Sequence, residues 1–258
     1  MSRFHLVQAD LAWEDATTNR AMLADMTRDC TDGVVVLPEM FSTGFSMASA
    51  QLAEPMSGPT VAWLQTEAEQ HQRPLCGSVI ARDKGQYFNR FIWAAPGSEP
   101  TWYDKRHLFR MAGEDAHYAP GNTRVVVQHN GLSILPQVCY DLRFPVWSRN
   151  RGDYDVMVVV ANWPAARREQ WLALLRARAI ENLCYVVAVN RVGTDGNDVV
   201  YSGDSCVIDY LGNTLLDLGT GTTVATAEID LESLRAWRTQ FPAHLDADDF
   251  TVLTQTDS

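Results

Sequence analysis

Short apolar runs rich in β-branched residues recur along the chain at 34–37, 132–138 (interrupted by Pro136), 156–161 and 185–189, and each has the length of a strand. Almost unbroken apolarity within a run requires cover on both faces, which is the situation of inner strands in an α/β sheet. Asp83-Lys84-Gly85, His129-Asn130-Gly131 and Tyr210-Leu211-Gly212-Asn213 are turn signals and predict hairpins, the first of them over 80–87. Helical spacing is clearest over 165–183, where Leu172, Leu175, Ala179 and Leu183 recur at three- and four-residue steps with arginines and glutamates on the other face. Residues 15–28 and 60–72 are further helices, the second introduced by Ser57-Gly58-Pro59-Thr60. Helices therefore alternate with strands, and antiparallel hairpins are interspersed. No repeat and no Pro/Gly/Ser linker divides the chain, so 1–258 reads as a single domain. Its last stretch, 241–258, is acidic and weakly patterned and is expected to wrap the surface or a partner subunit.

The apolar runs end in residues suited to chemistry. VVVLPE ends in Glu39, ILPQVC in Cys139, VMVVVAN in Asn162 and VVAVN in Asn190. In open α/β sheets the ligand crevice lies beyond the carboxyl ends of the strands, so these four converge if their strands are parallel neighbours. A thiol with an ordinary pKa of about 8.5 is mostly protonated at neutral pH and needs a base or a nearby cation to become a nucleophile. No histidine lies within nine residues of Cys139, so that help must come from elsewhere in the chain. Lys84 sits at a hairpin tip and should be solvated, whereas Lys105 follows the strand-like Thr101-Trp102-Tyr103 among groups that could bury it. His107, two residues further on, would share a face with Lys105 in an extended segment and is the alternative activator.

Composition narrows the partners. A formal charge of −11 over 258 residues, without a run of basic residues, argues against nucleic acid and anionic membranes and favours a small-molecule substrate. The opening MSRFHLVQADLAWED carries no basic segment followed by a long apolar one, and no window approaches about eighteen uninterrupted apolar residues. A cytoplasmic protein is expected. The five cysteines have no CxxC spacing and suggest neither a metal site nor a disulfide framework. Cys30, Cys76, Cys184 and Cys206 read as packing residues.

LPEMFSTGF around Glu39, YDKRHLF around Lys105 and QVCYDLRFP around Cys139 resemble, in order, the three catalytic motifs of the nitrilase superfamily of carbon–nitrogen hydrolases. The likeness extends to Gly113-Glu114, Asn162-Trp163-Pro164 and the segment 178–182, and spans roughly residues 4 to 240. Three motifs in order are specific where any one alone is weak. The resemblance implies an α/β fold, a four-layer αββα sandwich of two mixed β-sheets flanked by helices, paired in a homodimer. It further implies amide or nitrile chemistry through a covalent cysteine adduct, with no metal or organic cofactor. The CYDLRFP form and the overall size are most similar to the ω-amidase branch, which cleaves the terminal amide of 2-oxoglutaramate and 2-oxosuccinamate; nitrile or carbamoyl-amide hydrolysis and acyl transfer are the alternatives.

Roles follow from the resemblance. Cys139 is the nucleophile and Glu39 its base, Lys105 and the backbone N–H of Tyr140 stabilise the oxyanion, and Glu114 holds Lys105 or positions the substrate amide. A far carboxylate on the substrate would need a cation, for which Arg143 and Arg191 are candidates, with Trp163 and Phe41 as apolar walls. Other readings stand beside these: Gly113-Glu114-Asp115 also suits a plain polar loop, and Arg143 suits a structural ion pair with Asp141.

Overall fold

A computed structural model describes residues 2–253 of the chain. The first half supplies β1 (Ser2–Gln8), α1 (Ala16–Thr27), β2 (Val34–Val36), α2 (Ser49–Leu52), α3 (Pro59–His71), β3 (Leu75–Asp83), β4 (Gln86–Ala94), β5 (Thr101–Asp104) and α4 (Glu114–His117). The second half adds β6 (Val127–His129), β7 (Leu132–Val138), α5 (Pro145–Ser148), β8 (Val156–Ala161), α6 (Arg168–Asn182), β9 (Tyr185–Asn190), β10 (Val192–Thr194), β11 (Val200–Ser202), β12 (Cys206–Ile208), β13 (Thr214–Asp217), β14 (Thr223–Ile229) and α7 (Leu231–Gln240).

Two six-stranded sheets result, in the orders β14-β1-β2-β3-β4-β5 and β13-β12-β9-β8-β7-β6, and β10 with β11 forms a separate ribbon. Both sheets are mixed. β1, β2 and β3 run parallel, as do β7, β8 and β9, and the outer strands are antiparallel. Side-chain alternation shows how the layers stack. Phe4 and Leu6 of β1, Val34 and Val36 of β2, and Phe91 and Trp93 of β4 pack with the second sheet. Their alternates Val7, Val35 and Ile92 pack with Leu23 of α1 and Leu64 of α3 on the other side. Trp171, Leu175 and Ala179 of α6 cover the outer face of the second sheet, completing the αββα sandwich. Every residue of β8 is buried, as its unbroken apolarity requires. No helix of the described residues is long and apolar enough to cross a membrane.

Local signals set the element ends. Asp15 caps α1 by accepting from the Thr18 N–H at 3.0 Å, and Pro59 occupies the first turn of α3. Lys84-Gly85 and Asn130-Gly131 take positive φ in the two tight hairpins. Pro136 is tolerated inside β7 because β6 pairs only with residues 132–134, leaving that edge free further along. The buried face of α6 includes Asn182 and also Arg178, one of the arginines expected on the other face. Both find partners there. Arg178 donates to the Leu142 carbonyl at 2.6 Å and pairs with Glu181, and Asn182 donates to the Arg178 carbonyl at 3.0 Å. Within the tail, Arg151 donates to the Phe250 carbonyl at 2.7 Å; residues 254–258 lie outside the described part.

The segment after β2 rides along β3 and so delivers Glu39 to the space between the sheets. Leu37 N–H donates to the Cys76 carbonyl at 2.7 Å, Phe41 N–H to the Ser78 carbonyl at 3.1 Å, and Met40 N–H to the Ser78 hydroxyl at 2.8 Å. This close approach needs Gly77: a Cβ there would lie 2.8 Å from the Phe41 ring and 2.9 Å from Leu37 Cβ. Gly77→Ala is therefore expected to cost about 1–3 kcal/mol in urea unfolding through overpacking. A midpoint equal to that of the parent would refute this account of the Glu39 segment.

Candidate active site

Parallel β7, β8 and β9 end side by side, and Cys139, Asn162 and Asn190 stand at or just past their carboxyl ends. Glu39 joins them from the opposite sheet, not from a neighbouring strand as the open-sheet rule assumes. Asn162 N–H donates to Glu39 Oε2 at 2.7 Å, and the Asn162 side chain donates to the Glu39 carbonyl at 2.7 Å. Asn190 in turn accepts from Trp163 N–H at 2.8 Å. These bonds tie the two sheets together at the site.

Lys105 lies just past β5, fully enclosed. Its ammonium donates to Glu39 Oε1 at 2.8 Å and to both oxygens of Glu114, at 2.9 and 3.0 Å. Asn89 closes the cluster, donating to Glu39 at 2.7 Å and Glu114 at 3.1 Å while accepting from Ser78 Oγ at 2.8 Å. Glu114 is anchored as well by the Phe109 N–H at 2.6 Å, so it is not a plain polar-loop residue. Burial works against the Lys105 charge, but Glu114 and Glu39 outweigh it and hold the ammonium above its ordinary pKa. The Glu114 carboxyl is pushed up by burial, with Lys105 opposing.

Cys139 opens a 3₁₀ turn, Cys139–Arg143, with φ of +46°, a conformation unusual for a side chain with a Cβ and associated with functional strain. Cys139 is 9% exposed, and its thiol donates to the Asn162 carbonyl at 3.9 Å. Burial pushes its pKa well above the ordinary value, Glu39 adds to that, and Lys105 opposes it. Burial comes first, and charge adds to it: a resting thiolate would stand beside the Glu39 and Glu114 carboxyl groups with one ammonium, Lys105, to offset it. The proton therefore stays on sulfur until a reaction consumes the new charge.

Asp141, two residues past the thiol, connects this turn to the lysine segment. It accepts from Val138 N–H at 3.1 Å, from the Tyr103 hydroxyl at 2.8 Å, and from the His107 N–H at 2.9 Å. Tyr103 and His107 flank Lys105 by two residues on either side, so one buried carboxylate clamps both motifs. The His107 ring is also spoken for, with Nδ1 at 2.8 Å from Asp141 and the ring stacked on Phe144 at 3.8 Å. It belongs to this clamp and gives Cys139 no base.

A cavity of about 670 Å³, within the usual range for small-molecule sites, opens over Cys139. Tyr140, Arg143 and Trp163 line it, as expected from sequence. Arg143 lies over the Trp163 ring at 4.8 Å and makes no ion pair with Asp141, whose acceptors are taken. Phe41 and Arg191 are placed elsewhere. Phe41 turns into the layer beneath the outer helices, 5.8 Å from Trp63. Arg191 is fully buried and committed to Asp10 at 2.9 Å and the Leu11 carbonyl. Sequence reasoning missed Asn89, although a lone Asn at an inner-face position otherwise filled by Phe91 and Trp93 was a readable signal. It also missed Phe45, Phe109, Arg167 and the β10–β11 ribbon, which contributes Asp195 and Tyr201 to the cavity wall.

With this geometry in hand, comparison with known proteins is informative. The carbon–nitrogen hydrolase family profile matches residues 6–239. The chain is 47% identical over 252 residues to Omega-amidase YafV of Escherichia coli strain K12, covering 96% of this chain and 97% of that protein. It is 33% identical over 214 residues to the 2-oxoglutaramate amidase of Bacillus subtilis strain 168, covering 81% and 82% of the two. Among solved structures, the CN-hydrolase superfamily protein XC1258 from Xanthomonas campestris, which has an arsenic adduct in its active site, superposes with a TM-score of 0.94 at 46% identity over 97% of this chain and 98% of that one. Nit3 of Saccharomyces cerevisiae shares the fold alone, with a TM-score of 0.82 at 23% identity over 93% and 94% of the two. Motif order, two-sheet architecture, buried cluster and sequence matches agree: the chain belongs to the carbon–nitrogen hydrolase family.

Proposed function

We propose that this protein is an ω-amidase, hydrolysing the terminal amide of a small 2-oxo acid of the 2-oxoglutaramate or 2-oxosuccinamate type through a thioester on Cys139. The observation that carries this reading is the enclosure of Glu39, Lys105 and Glu114 against the Cys139 thiol at the base of a cavity that also holds the guanidinium of Arg143. Kinship with the two amidases above supports the substrate class.

The Cys139 sulfur attacks the amide carbonyl carbon, and its proton passes to Glu39. The negative oxygen so formed is met by the Tyr140 backbone N–H and by Lys105. Lys105 spends its three N–H donors on Glu39 Oε1 and both Glu114 oxygens, so one of the two bonds to Glu114 turns to the oxyanion as it forms. Collapse breaks the C–N bond as Glu39 returns the proton to nitrogen, and ammonia leaves. A water then attacks the thioester while giving its proton to Glu39; the C–S bond breaks and sulfur recovers the proton. Glu114 keeps Lys105 charged and aimed throughout. Arg143 receives the substrate's far carboxylate, and the Trp163 ring lies beneath that guanidinium at 4.8 Å.

Three outcomes are expected. Glu39→Gln removes the proton carrier, so ammonia release from 2-oxoglutaramate should fall by at least about 10³-fold; a variant within tenfold of the parent would exclude Glu39 as the base. His107→Ala should leave turnover within about tenfold, because that ring serves the Asp141 clamp. Loss of turnover from His107→Ala with an active Glu39→Gln would transfer the chemistry to a Cys-His pair. Because the thiol pKa is raised, alkylation of Cys139 by iodoacetamide, followed by intact mass, should accelerate steadily between pH 7 and pH 9. A rate already at plateau by pH 7 would mean a resting thiolate, contrary to the raised pKa.

A further inference from the structure

Two guanidiniums, not one, face the cavity above Cys139. Arg167 lines it together with Arg143, and each lies over its own aromatic face: Arg143 over Trp163 at 4.8 Å, Arg167 over Phe109 at 5.1 Å. Neither takes a carboxylate partner among the described residues, although the next residue, Arg168, pairs with Asp204 at 2.8 Å. A cation left unpaired beside a cavity while its neighbour is neutralised is available to a ligand.

Both platforms are rigid. The Trp163 indole N–H donates to the Arg167 carbonyl at 2.8 Å, and the Arg167 N–H donates to the Pro164 carbonyl at 2.9 Å, so the backbone under Arg167 is fixed to the residue that carries Arg143. Phe109 is held edge-on to Tyr140 at 5.0 Å, and its N–H is bonded to Glu114. The two platforms are thus built from residues adjoining the catalytic cluster. The acids of the same cavity have partners within the protein. Asp195 accepts from the Tyr201 hydroxyl at 2.8 Å and from the N–H groups of Asn197 and Val199, and Glu14 accepts from the Ser46 hydroxyl at 2.5 Å.

We infer that Arg167 acts with Arg143 as a two-guanidinium clamp that selects a 2-oxo carboxylate over the corresponding 2-amino acid. A 2-oxo carboxylate offers three nearly coplanar acceptor oxygens and no donor, which suits two planar forks of N–H groups. An amino acid amide such as glutamine presents an ammonium at the same carbon. Two guanidiniums repel it. This inference rests on the ω-amidase reading and deepens it by assigning the specificity determinant.

The test compares kcat/KM for 2-oxoglutaramate, glutamine and the uncharged butanamide in the parent and in Arg167→Met, Arg143→Met and Arg167→Lys. In Arg167→Met the ratio of 2-oxoglutaramate to butanamide should fall about 10- to 100-fold, the worth of one charge-assisted pair, mainly through KM. The preference over glutamine should shrink with it, and Arg167→Lys should recover part of the loss. Inhibition of butanamide turnover by 2-oxoglutarate supplies a readout independent of the physiological substrate, and its Ki should rise by a similar factor in Arg167→Met. An unchanged ratio and Ki in Arg167→Met, with the parent still preferring 2-oxoglutaramate, would overturn the role of Arg167 and leave the ω-amidase reading standing. A parent that shows no preference for 2-oxoglutaramate over butanamide would overturn the reading itself.

Discussion

The ammonium of Lys105, sealed between Glu39 and Glu114, is the interaction on which the rest depends. A charge without solvent is tolerable only when opposite charge and hydrogen bonds replace the lost hydration, and removal of one partner from such a pair costs about 3–5 kcal/mol. Here two carboxylates and the Asn89 amide share that duty, so none of the four side chains can move far alone. The same enclosure explains the protonation state of the thiol. Burial and the neighbouring Glu39 both resist an uncompensated thiolate, so the proton stays on sulfur in the resting site.

Holding that cluster requires several elements to agree on one point. Glu39 comes from the first sheet and Cys139 from the second, Lys105 follows β5 at the edge of the first, and Glu114 starts a short helix. Asp141 makes the junction. It serves the turn that carries Cys139 and the segment on both sides of the lysine, so displacement of either is opposed by the other. Arg178 adds support from outside through the Leu142 carbonyl, which makes the buried arginine of α6 a brace for the same turn. The positive φ of Cys139 persists because these contacts over-determine its position.

The substrate side of the cavity is organised differently. Arg143 and Arg167 rest on aromatic faces instead of carboxylates, which holds their planes while leaving their N–H groups available. Arg191 shows the contrast. Its Nε and Nη2 are bonded within the protein, so it is a structural ion pair joining the N-terminal segment after β1 to the end of β9.

What was legible in the sequence is what local chemistry determines. Unbroken β-branched runs require inner strands, Asn130-Gly131 and Lys84-Gly85 require tight turns, and Asp15 and Pro59 mark helix starts, so β2, β7, β8, β9, α1, α3 and α6 appeared close to their observed bounds. Motif order likewise singled out Glu39, Lys105, Glu114 and Cys139. Local chemistry does not say which face of an element meets which layer. Phe41 follows a positive-φ turn at Met40 and leaves the cavity, Arg178 points inward on α6, and Arg191 finds its carboxylate 181 residues away. The arrival of Glu39 from the opposing sheet, the Asn89 bridge and the Asp141 clamp were decided by tertiary structure alone. Each pairs groups far apart in sequence, and burial, which no single segment contains, is what makes those pairings obligatory.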